Sequence, residues 1–200
     1  MAADGEATAG NQWVPPANAF YARNVPMPKR DIARAKALLK EAGVTNPTFT
    51  LMTPTTSDAQ RVAQVVQAMA KEAGFDVKIQ ATEFATSLNL ADKGQFDAYV
   101  LAWSGRADPD GNLFSFYGCK QPLNYSGECR PLWDDLLNRS RTTLDTSGRI
   151  KAFATLAAET VKERPVIYLY HRNWLYASTT KLTGMRPIPD GLVRLQGLKM

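Results

Sequence analysis

The 200-residue sequence contains one histidine and two cysteines, and this scarcity limits the chemistry that it can support. No Gly-x-Ser-x-Gly motif is present to carry a serine nucleophile, and no glycine-rich loop is present to cradle a phosphate. The single histidine, His171, adjoins an apolar strand-like segment, where a neutral imidazole with satisfied hydrogen bonds is a more common outcome than a general base. Serine-type catalysis and nucleotide binding therefore have no support.

Long apolar runs are also lacking. No run approaches the length of a membrane span, so we expect no direct membrane insertion. Residues 1–10 are small and polar and lack the basic start and apolar stretch of a secretion signal. The chain is thus expected to be either cytosolic, or a mature or trimmed piece of an exported protein.

The net charge of +5 comes from scattered basic residues rather than from a cluster. No basic run interleaves with aromatic residues, which favours a solvated basic surface over a nucleic-acid interface. We therefore predict no nucleic-acid partner, and a basic nucleic-acid binder is kept as a weaker hypothesis.

The two cysteines, Cys119 and Cys129, flank a segment rich in turn-forming residues. A disulfide that closes this loop fits the arrangement and would indicate an oxidising compartment. Two unlinked thiols are the alternative. A zinc site would need further ligands, and His171 lies far away in the sequence. We predict no metal site and no cofactor.

Hydrophobic periodicity predicts an α/β domain in which helices cover a sheet. Strands are predicted at residues 48–53, 75–80, 96–103 and 166–170, with a further short one at 192–195. Helices are predicted between Asp31 and Gly43, from about residue 59 to Gly74, and at residues 131–141 and 146–163. Residues 84–93 are a short helix or a loop, and residues 104–130 are predicted to be a loop.

The segment from Trp103 to Asn112 has the composition of a recognition loop. A large aromatic ends the predicted strand, which is expected to be buried on both faces, and polar residues follow at once. Trp103 is either a ligand wall or a core residue, and Arg106 either meets an anion or pairs with Asp108. Six residues are candidate ligand contacts: Trp103, Ser104, Gly105, Arg106, Asp108 and Asn112.

Asp108 and Asp110 invite a catalytic alternative, a small hydrolase in which the two carboxylates act as acid and base with His171 as a partner. Asp-Pro-Asp-Gly is also an ordinary turn sequence, in which aspartates bind local backbone amides, and we favour the turn. A calcium loop is not predicted, because residues 113–120 contain no carboxylate.

Five segments in order resemble one family, the extracellular solute-binding proteins (family 5) of peptide, nickel and glutathione ABC importers. The helix at residues 31–43 (DIARAKALLKEAG) looks like one of its helices, and residues 68–77 (AMAKEAGFDV) resemble its second helix and the strand after it. Residues 94–99 (GQFDAY) and 103–112 (WSGRADPDGN) resemble its ligand-bearing strand and loop. Residues 165–170 (PVIYLY) look like a strand near the family's C-terminus.

This resemblance implies one lobe of a periplasmic-binding-protein type II-like fold, the C-terminal part of a longer two-lobe protein. Residues 1–30 would be an extended lead-in, 31–175 the ligand-binding lobe, and 176–200 a tail that returns to the other lobe. The family implies no enzymatic activity. It implies a periplasmic receptor that closes on a peptide-like or glutathione-like solute and delivers it to a membrane permease.

The resemblance also bears on individual residues. Peptide-binding members carry an aspartate three residues after the matching tryptophan, where this chain has Arg106. The reversed charge implies a ligand with an anionic or neutral group there, and the glutathione-binding branch has a similar Trp-Ser-Gly-Arg pattern. The loop at residues 53–58 lacks the arginine of dipeptide binders. The spacing of Cys119 and Cys129 resembles a disulfide loop of some members, which favours the bond.

Overall fold

The structure is a computed structural model that describes residues 5–188 and 190–200. Its chain divides into two compact units. The first unit contains Gly5 and Pro28–Ala102, and the second contains Glu6–Met27 and Trp103–Met200. The domain boundaries predicted from the sequence, after residues 30 and 175, stay a prediction.

Strands and helices alternate over the first part of the described residues, and three consecutive helices then precede the last strand. The strands are β1 (Ala7–Ala9), β2 (Thr48–Pro54), β3 (Asp76–Thr82), β4 (Ala98–Tyr99) and β5 (Tyr170–Arg172). The helices are α1 (Ile32–Glu41), α2 (Ser57–Ala73), α3 (Phe84–Asp92), α4 (Asp110–Tyr117), α5 (Pro131–Thr142) and α6 (Thr146–Glu163).

Local sequence signals determine the helix ends of the first unit. The Asp31 carboxylate accepts a hydrogen bond from the Arg34 backbone N–H at 2.7 Å and so caps α1. Helix α2 ends at Gly74, whose φ of 103° lies in the left-handed region that glycine enters without strain. Both predicted boundaries are confirmed, and the uncertain segment at residues 84–93 is a helix.

The first unit is built on a parallel sheet with the strand order β3–β2–β4. Central strand β2 pairs with both neighbours, and Leu51 lies opposite Ile79 on one side and Ala98 on the other. Leu51 and Val77 are buried together with Ala63 of α2. Apolar side chains on the strands therefore find their cover on a crossover helix, as the α/β prediction requires.

The predicted strand at residues 96–103 is wrong in its length. Strand β4 covers Ala98–Tyr99 alone, lies at the sheet edge and is only half-buried. At its start, the Asp97 carboxylate instead of a backbone carbonyl accepts from the Thr50 backbone N–H, at 2.8 Å. The Val100 N–H donates to the Met52 carbonyl at 2.9 Å, and after that contact the chain leaves the ladder. Trp103 therefore lies beyond the strand.

The second unit has a helical core in which α4, α5 and α6 pack with residues from the segment before α1. Leu113, Leu137 and Phe153 are fully buried, and Val14 is 2% exposed beside them. Helix α4 lies inside the predicted 104–130 loop, so that prediction is wrong over residues 110–117. Turn-forming residues at both ends of this segment led to the loop prediction, although the apolar stretch between them forms a helix in which Leu113 and Tyr117 are buried.

A two-stranded antiparallel sheet completes the second unit. Strand β5 pairs with β1, with Thr8 opposite His171. The strand predicted at residues 166–170 thus begins only at Tyr170, because Ile167 is 73% exposed and finds no cover. Residues 192–195 form no strand, and a bridge between Thr183 and Lys199 is the pairing seen in the described part of residues 181–200.

Candidate functional site

Trp103 begins the recognition loop and presents part of its ring to solvent. Its side chain is 44% exposed, which is inconsistent with a core position. The ring of Phe116, on α4, meets it edge to face at a centroid distance of 5.1 Å. The indole Nε1 donates a hydrogen bond to Asn112 Oδ1 at 3.0 Å. The loop therefore offers a flat apolar surface that is supported from behind.

Asn112 lies in the first turn of α4 and is 6% exposed. Its Oδ1 accepts from the Trp103 indole and from the Arg106 backbone N–H, the latter at 2.7 Å. Its Nδ2 donates to the Arg106 carbonyl at 2.8 Å and to the Asp108 carbonyl at 3.5 Å. One buried side chain thus holds the loop against the helix.

Arg106 folds back over its own loop. Its Nη1 donates to Ser104 Oγ at 3.0 Å and to the Gly105 carbonyl at 2.7 Å, and its Cζ lies 4.9 Å from the Trp103 ring centroid. The alternative in which Arg106 pairs with Asp108 is wrong, because another arginine takes that carboxylate. The guanidinium is available on the same surface as the exposed indole.

Asp190 lies close enough to Arg106 for their charges to interact. The pKa of Asp190 is held below its ordinary value, chiefly by the Leu192 backbone N–H and then by Arg194, with a smaller contribution from the charge of Arg106. The surface around the loop therefore carries charges of both signs. Such a surface suits a ligand with polar ends better than a purely apolar one.

Two glycines make the conformation of this loop accessible. Gly105 has a φ of +78°, a left-handed conformation that an L side chain rarely adopts. A Cβ on Gly111 would lie 3.0 Å from both Cβ and Cγ of Arg106, so the bare helix backbone gives the arginine stem its space. Glycine is therefore required at these two positions, at 105 for the backbone conformation and at 111 to leave room for the Arg106 side chain.

Asp108 has a local structural role. Its Oδ1 accepts from the Asp110 backbone N–H at 2.9 Å, which is the turn contact expected from the sequence. Arg149 Nη2 donates to Oδ1 at 2.7 Å and to Oδ2 at 2.8 Å. The hydrogen bond from Arg149 is the main reason that the pKa of Asp108 lies below its ordinary value. A carboxylate held ionised in this way is a poor general acid.

Asp110 is tied to a different arginine. Arg141 Nε lies 3.0 Å from Asp110 Oδ1 and 3.1 Å from Oδ2, and the Arg141 guanidinium covers the Phe114 ring at 3.7 Å. Each aspartate is therefore paired with an arginine of its own. This arrangement gives the hydrolase hypothesis no support.

His171, the third residue of that hypothesis, lies within β5. Burial lowers its pKa, and a hydrogen bond with the Gln12 backbone opposes this shift only in part. Its Nε2 has no hydrogen-bond partner, and a Cβ on Gly10 would lie 2.9 Å from that atom. The imidazole is therefore packed against the small sheet and is partly buried. The expectation that its hydrogen bonds are satisfied is wrong at Nε2.

The disulfide predicted between Cys119 and Cys129 is present. Asp134 Oδ1 accepts from the Cys119 backbone N–H at 2.9 Å, and Asn124 Nδ2 donates to the carbonyls of Gly118 and Glu128 inside the loop. Over residues 5–188 and 190–200, the grouping of potential metal ligands that lie close together is Cys119, Cys129 and Asp134. Its two sulfurs are bonded to each other, so they are not thiolate ligands.

Sequence reasoning missed Phe116 and Arg149, the residues that support the loop from outside it. Leu113, Phe114, Phe116 and Tyr117 recur at helical spacing after Asp110, and this periodicity could have revealed α4. No local signal connects Arg149 with Asp108, because 41 positions separate them.

Comparison with known proteins decides the family. Residues 2–124 match the profile of the bacterial extracellular solute-binding proteins, family 5 Middle. The chain belongs to this family. Among the described helices of this family member, none has the length and apolar character needed to cross a membrane.

Relatives in the same family carry names that refer to peptides. The dipeptide-binding protein of Escherichia coli K12 is 28% identical over 177 residues, which cover 84% of this chain and 33% of the relative. Probable di/tripeptide-binding protein 5 of Pseudomonas aeruginosa UCBPP-PA14 is 31% identical over 144 residues, with coverages of 67% and 27%. This family member thus spans about a third of the length of the curated relatives that it matches.

Solved structures agree with the fold. The Helicobacter pylori periplasmic binding protein DppA, in complex with the peptide STSA, has a TM-score of 0.77 and 26% identity, and covers 84% of this chain and 34% of its own. The dipeptide binding protein of Pseudoalteromonas sp. SM9913, in complex with Met-Leu, has a TM-score of 0.82 over 98% of this chain and 40% of its own, at 22% identity. The second likeness concerns the fold alone. The predicted mixed α/β lobe of the periplasmic-binding-protein type is confirmed.

Proposed function

We propose that this chain is part of the substrate-binding component of an ABC importer and that its 103–112 loop contacts a peptide-like solute. Membership of family 5 and the peptide-binding names of the relatives support the solute class. The single observation that carries the residue assignment is the exposed Trp103 ring with the Arg106 guanidinium 4.9 Å from its centroid. An aromatic wall beside a fixed charge is a common way to bind and orient a small polar ligand.

Arg106 sets the preference within that class in this proposal. A guanidinium presents a planar fork of donors that matches a carboxylate and repels a free α-ammonium group. The proposed ligand therefore turns an anionic or neutral group toward Arg106, as a glutathione-like peptide can. Trp103 packs against the apolar part of the same ligand, while Ser104 and Gly105 hold the arginine in place through their contacts with its Nη1.

The chain performs no chemistry in this proposal. A receptor of this kind binds its solute in a cleft that closes by hinge motion, excludes water and passes the solute to a membrane permease. The periplasm is the proposed location, and the disulfide Cys119–Cys129 suits such an oxidising compartment.

Isothermal titration calorimetry on the receptor that contains this chain tests the proposal. The panel consists of dipeptides, tripeptides, their C-terminal amides and reduced glutathione. We expect a ligand with a carboxylate to bind, and Arg106→Ala to weaken its binding by about tenfold to a hundredfold, the loss of one charged hydrogen-bonding group. Arg106→Lys should restore part of the affinity, because it keeps the charge without the fork.

Arg139→Ala is the matched control, because Arg139 is an exposed arginine of the same unit whose ion pair with Asp135 at 3.6 Å lies on the surface of α5. Its affinity should equal that of the wild type. Unchanged affinity in Arg106→Ala would remove the arginine from the site. Recovery of a cleaved peptide after incubation would contradict the assignment as a binding protein.

A further inference from the structure

Behind the exposed surface of the loop, the buried side chain of Asn112 hydrogen-bonds both Trp103 and Arg106. We propose that Asn112 is a positioning residue, which holds the Trp103 indole and the Arg106 main chain in one fixed pose without touching the solute. The role toward the solute rests on the proposed function. The role toward Trp103 and Arg106 stands on the geometry of the loop alone.

The carboxamide of Asn112 makes its hydrogen bonds within the loop. An asparagine side chain offers two acceptor sites and two donor hydrogens. The Trp103 indole and the Arg106 N–H occupy the acceptor sites, at 3.0 and 2.7 Å. The carbonyls of Arg106 and Asp108 occupy the donors, at 2.8 and 3.5 Å. With 6% of its surface exposed, the residue lies behind the recognition surface and is not part of it.

Other contacts to Trp103 leave its orientation undetermined. The edge-to-face contact with Phe116 at 5.1 Å is apolar and tolerates rotation of the indole, since aromatic pairs have broad angular preferences. Gly105, with a φ of +78°, gives the chain between Trp103 and Arg106 additional backbone freedom. The Asn112 amide is the directional contact that joins the ring and the main chain.

The coupling through Asn112 has a consequence for recognition. Because the Arg106 guanidinium lies over the Trp103 ring, and because Asn112 binds both residues, a single side chain sets the distance between the aromatic wall and the charge. A binding surface whose groups are already fixed loses less conformational entropy when the ligand arrives. Loss of Asn112 should weaken binding while every proposed contact residue remains present.

The first measurement concerns the loop and needs no ligand. Solvent exchange of the Trp103 indole N–H is followed by NMR on the full 200-residue chain, and the resonance is assigned by its disappearance in Trp103→Phe. We expect Asn112→Ala to accelerate this exchange at least tenfold, because the N–H loses its acceptor. Asn112→Asp keeps an acceptor for the indole but loses the donor to the Arg106 carbonyl, so its exchange rate should lie between those of the wild type and Asn112→Ala.

Asn124→Ala is the matched control. Asn124 also bridges two backbone carbonyls within a loop of the same unit, those of Gly118 and Glu128, but makes no hydrogen bond to Trp103. Its loss should leave the indole exchange unchanged. Asn112→Ser replaces the alanine variant if circular dichroism shows that the latter does not fold. Wild-type exchange in the folded alanine or serine variant, or equal acceleration in Asn124→Ala, would overturn the positioning role.

The second measurement is the affinity of the receptor for two probes, reduced glutathione and trialanine. We expect Asn112→Ala to weaken binding at least tenfold, and Asn124→Ala to change it less than twofold. An accelerated indole exchange with unchanged affinity would show that the pose does not matter for binding and would overturn that part of the inference. If the wild type binds neither probe, the proposed function fails, and the indole measurement still decides the role of Asn112 in the loop.

Discussion

Replacement of Arg149 by methionine tests whether Asp108 belongs to the support of the loop. Arg149 is 21% exposed and its guanidinium makes three kinds of contact. Nη2 donates to both oxygens of Asp108, Nε donates to the Ser140 carbonyl at 2.9 Å, and Cζ lies 5.2 and 5.7 Å from the ring centroids of Phe20 and Phe153. Methionine keeps a long apolar stem and removes all of the polar contacts.

The expected loss follows from these contacts. A hydrogen bond from a charged donor to a part-buried carbonyl contributes about 1.5 kcal/mol. The ion pair contributes less than about 1 kcal/mol, because 53% of the Asp108 side chain is exposed and solvent screens the charges. The contacts over the two rings add roughly 0.5 kcal/mol. We therefore expect Arg149→Met to lower the free energy of unfolding of the second unit by about 2–3 kcal/mol.

Urea denaturation followed by tryptophan fluorescence measures this loss. All four tryptophans lie in the second unit, so the signal reports that unit. Arg139→Met, on the exposed surface of α5, is the control and should change the free energy of unfolding by less than about 0.5 kcal/mol. A double-mutant cycle with Asp108→Asn should give a coupling energy of about 0.5–1 kcal/mol.

The pH dependence of the Arg149–Asp108 coupling energy gives an independent check of this ion pair. Arg149 holds the pKa of Asp108 below its ordinary value, so the contribution of the pair is complete above that ordinary value. It is lost as the pH falls through the lowered pKa of the folded state. The coupling energy should therefore vanish in acid. An Arg149→Met variant as stable as Arg139→Met, or a coupling energy near zero at neutral pH, would refute this reasoning and would leave Asp108 free for a ligand.

Three further outcomes follow from other contacts. Serine at both disulfide positions should lower the free energy of unfolding by about 2–3 kcal/mol, measured by urea denaturation against the oxidised wild type; an equal midpoint would contradict the model of loop entropy. The depressed pKa of His171 means that the unfolded chain binds the proton more readily, so stability should fall as the pH drops below about 6.5, the value of a free imidazole. His171→Gln should remove that dependence, and an unaltered pH profile would exclude this histidine as its source. Gly191→Ala should destabilise by about 1–3 kcal/mol more than Gly197→Ala. Both glycines have a positive φ, but a Cβ on Gly191 would overlap the Trp174 ring, whereas one on Gly197 meets nothing within 4 Å. Equal melting temperatures would contradict the steric argument.

Much of the first unit is predictable because its signals are local. The cap at Asp31 and the left-handed glycine at position 74 act within one helical turn, so they can be recognised from the sequence alone. Strand β4 shows the limit of this approach. Residues 96–103 are apolar enough for a long strand, yet the ladder ends after two residues, because Asp97 takes a hydrogen-bond position and no second neighbour continues the pairing.

The candidate site likewise has features that local sequence predicts and others that it does not. Residue types and order were sufficient to select the segment from Trp103 to Asn112 and to suggest a turn at Asp108. Whether each side chain faces solvent or makes its contacts inside the loop was not predictable. Asn112 was expected to be a ligand contact like its neighbours, but its amide makes its hydrogen bonds within the loop, because the first turn of α4 brings it beneath the indole.

The sequence by itself determined the α/β class, the cysteine pair and the family resemblance, and it selected the candidate loop at residues 103–112, because each of these depends on residue identity within a short window. Only the tertiary structure decided which residues support that loop. Phe116 and Arg149 reach it from α4 and α6, and the Arg149 contact spans 41 positions of the chain. Such partners are selected by the packing of helices around a shared core, and that packing depends on the whole unit at once rather than on any local pattern.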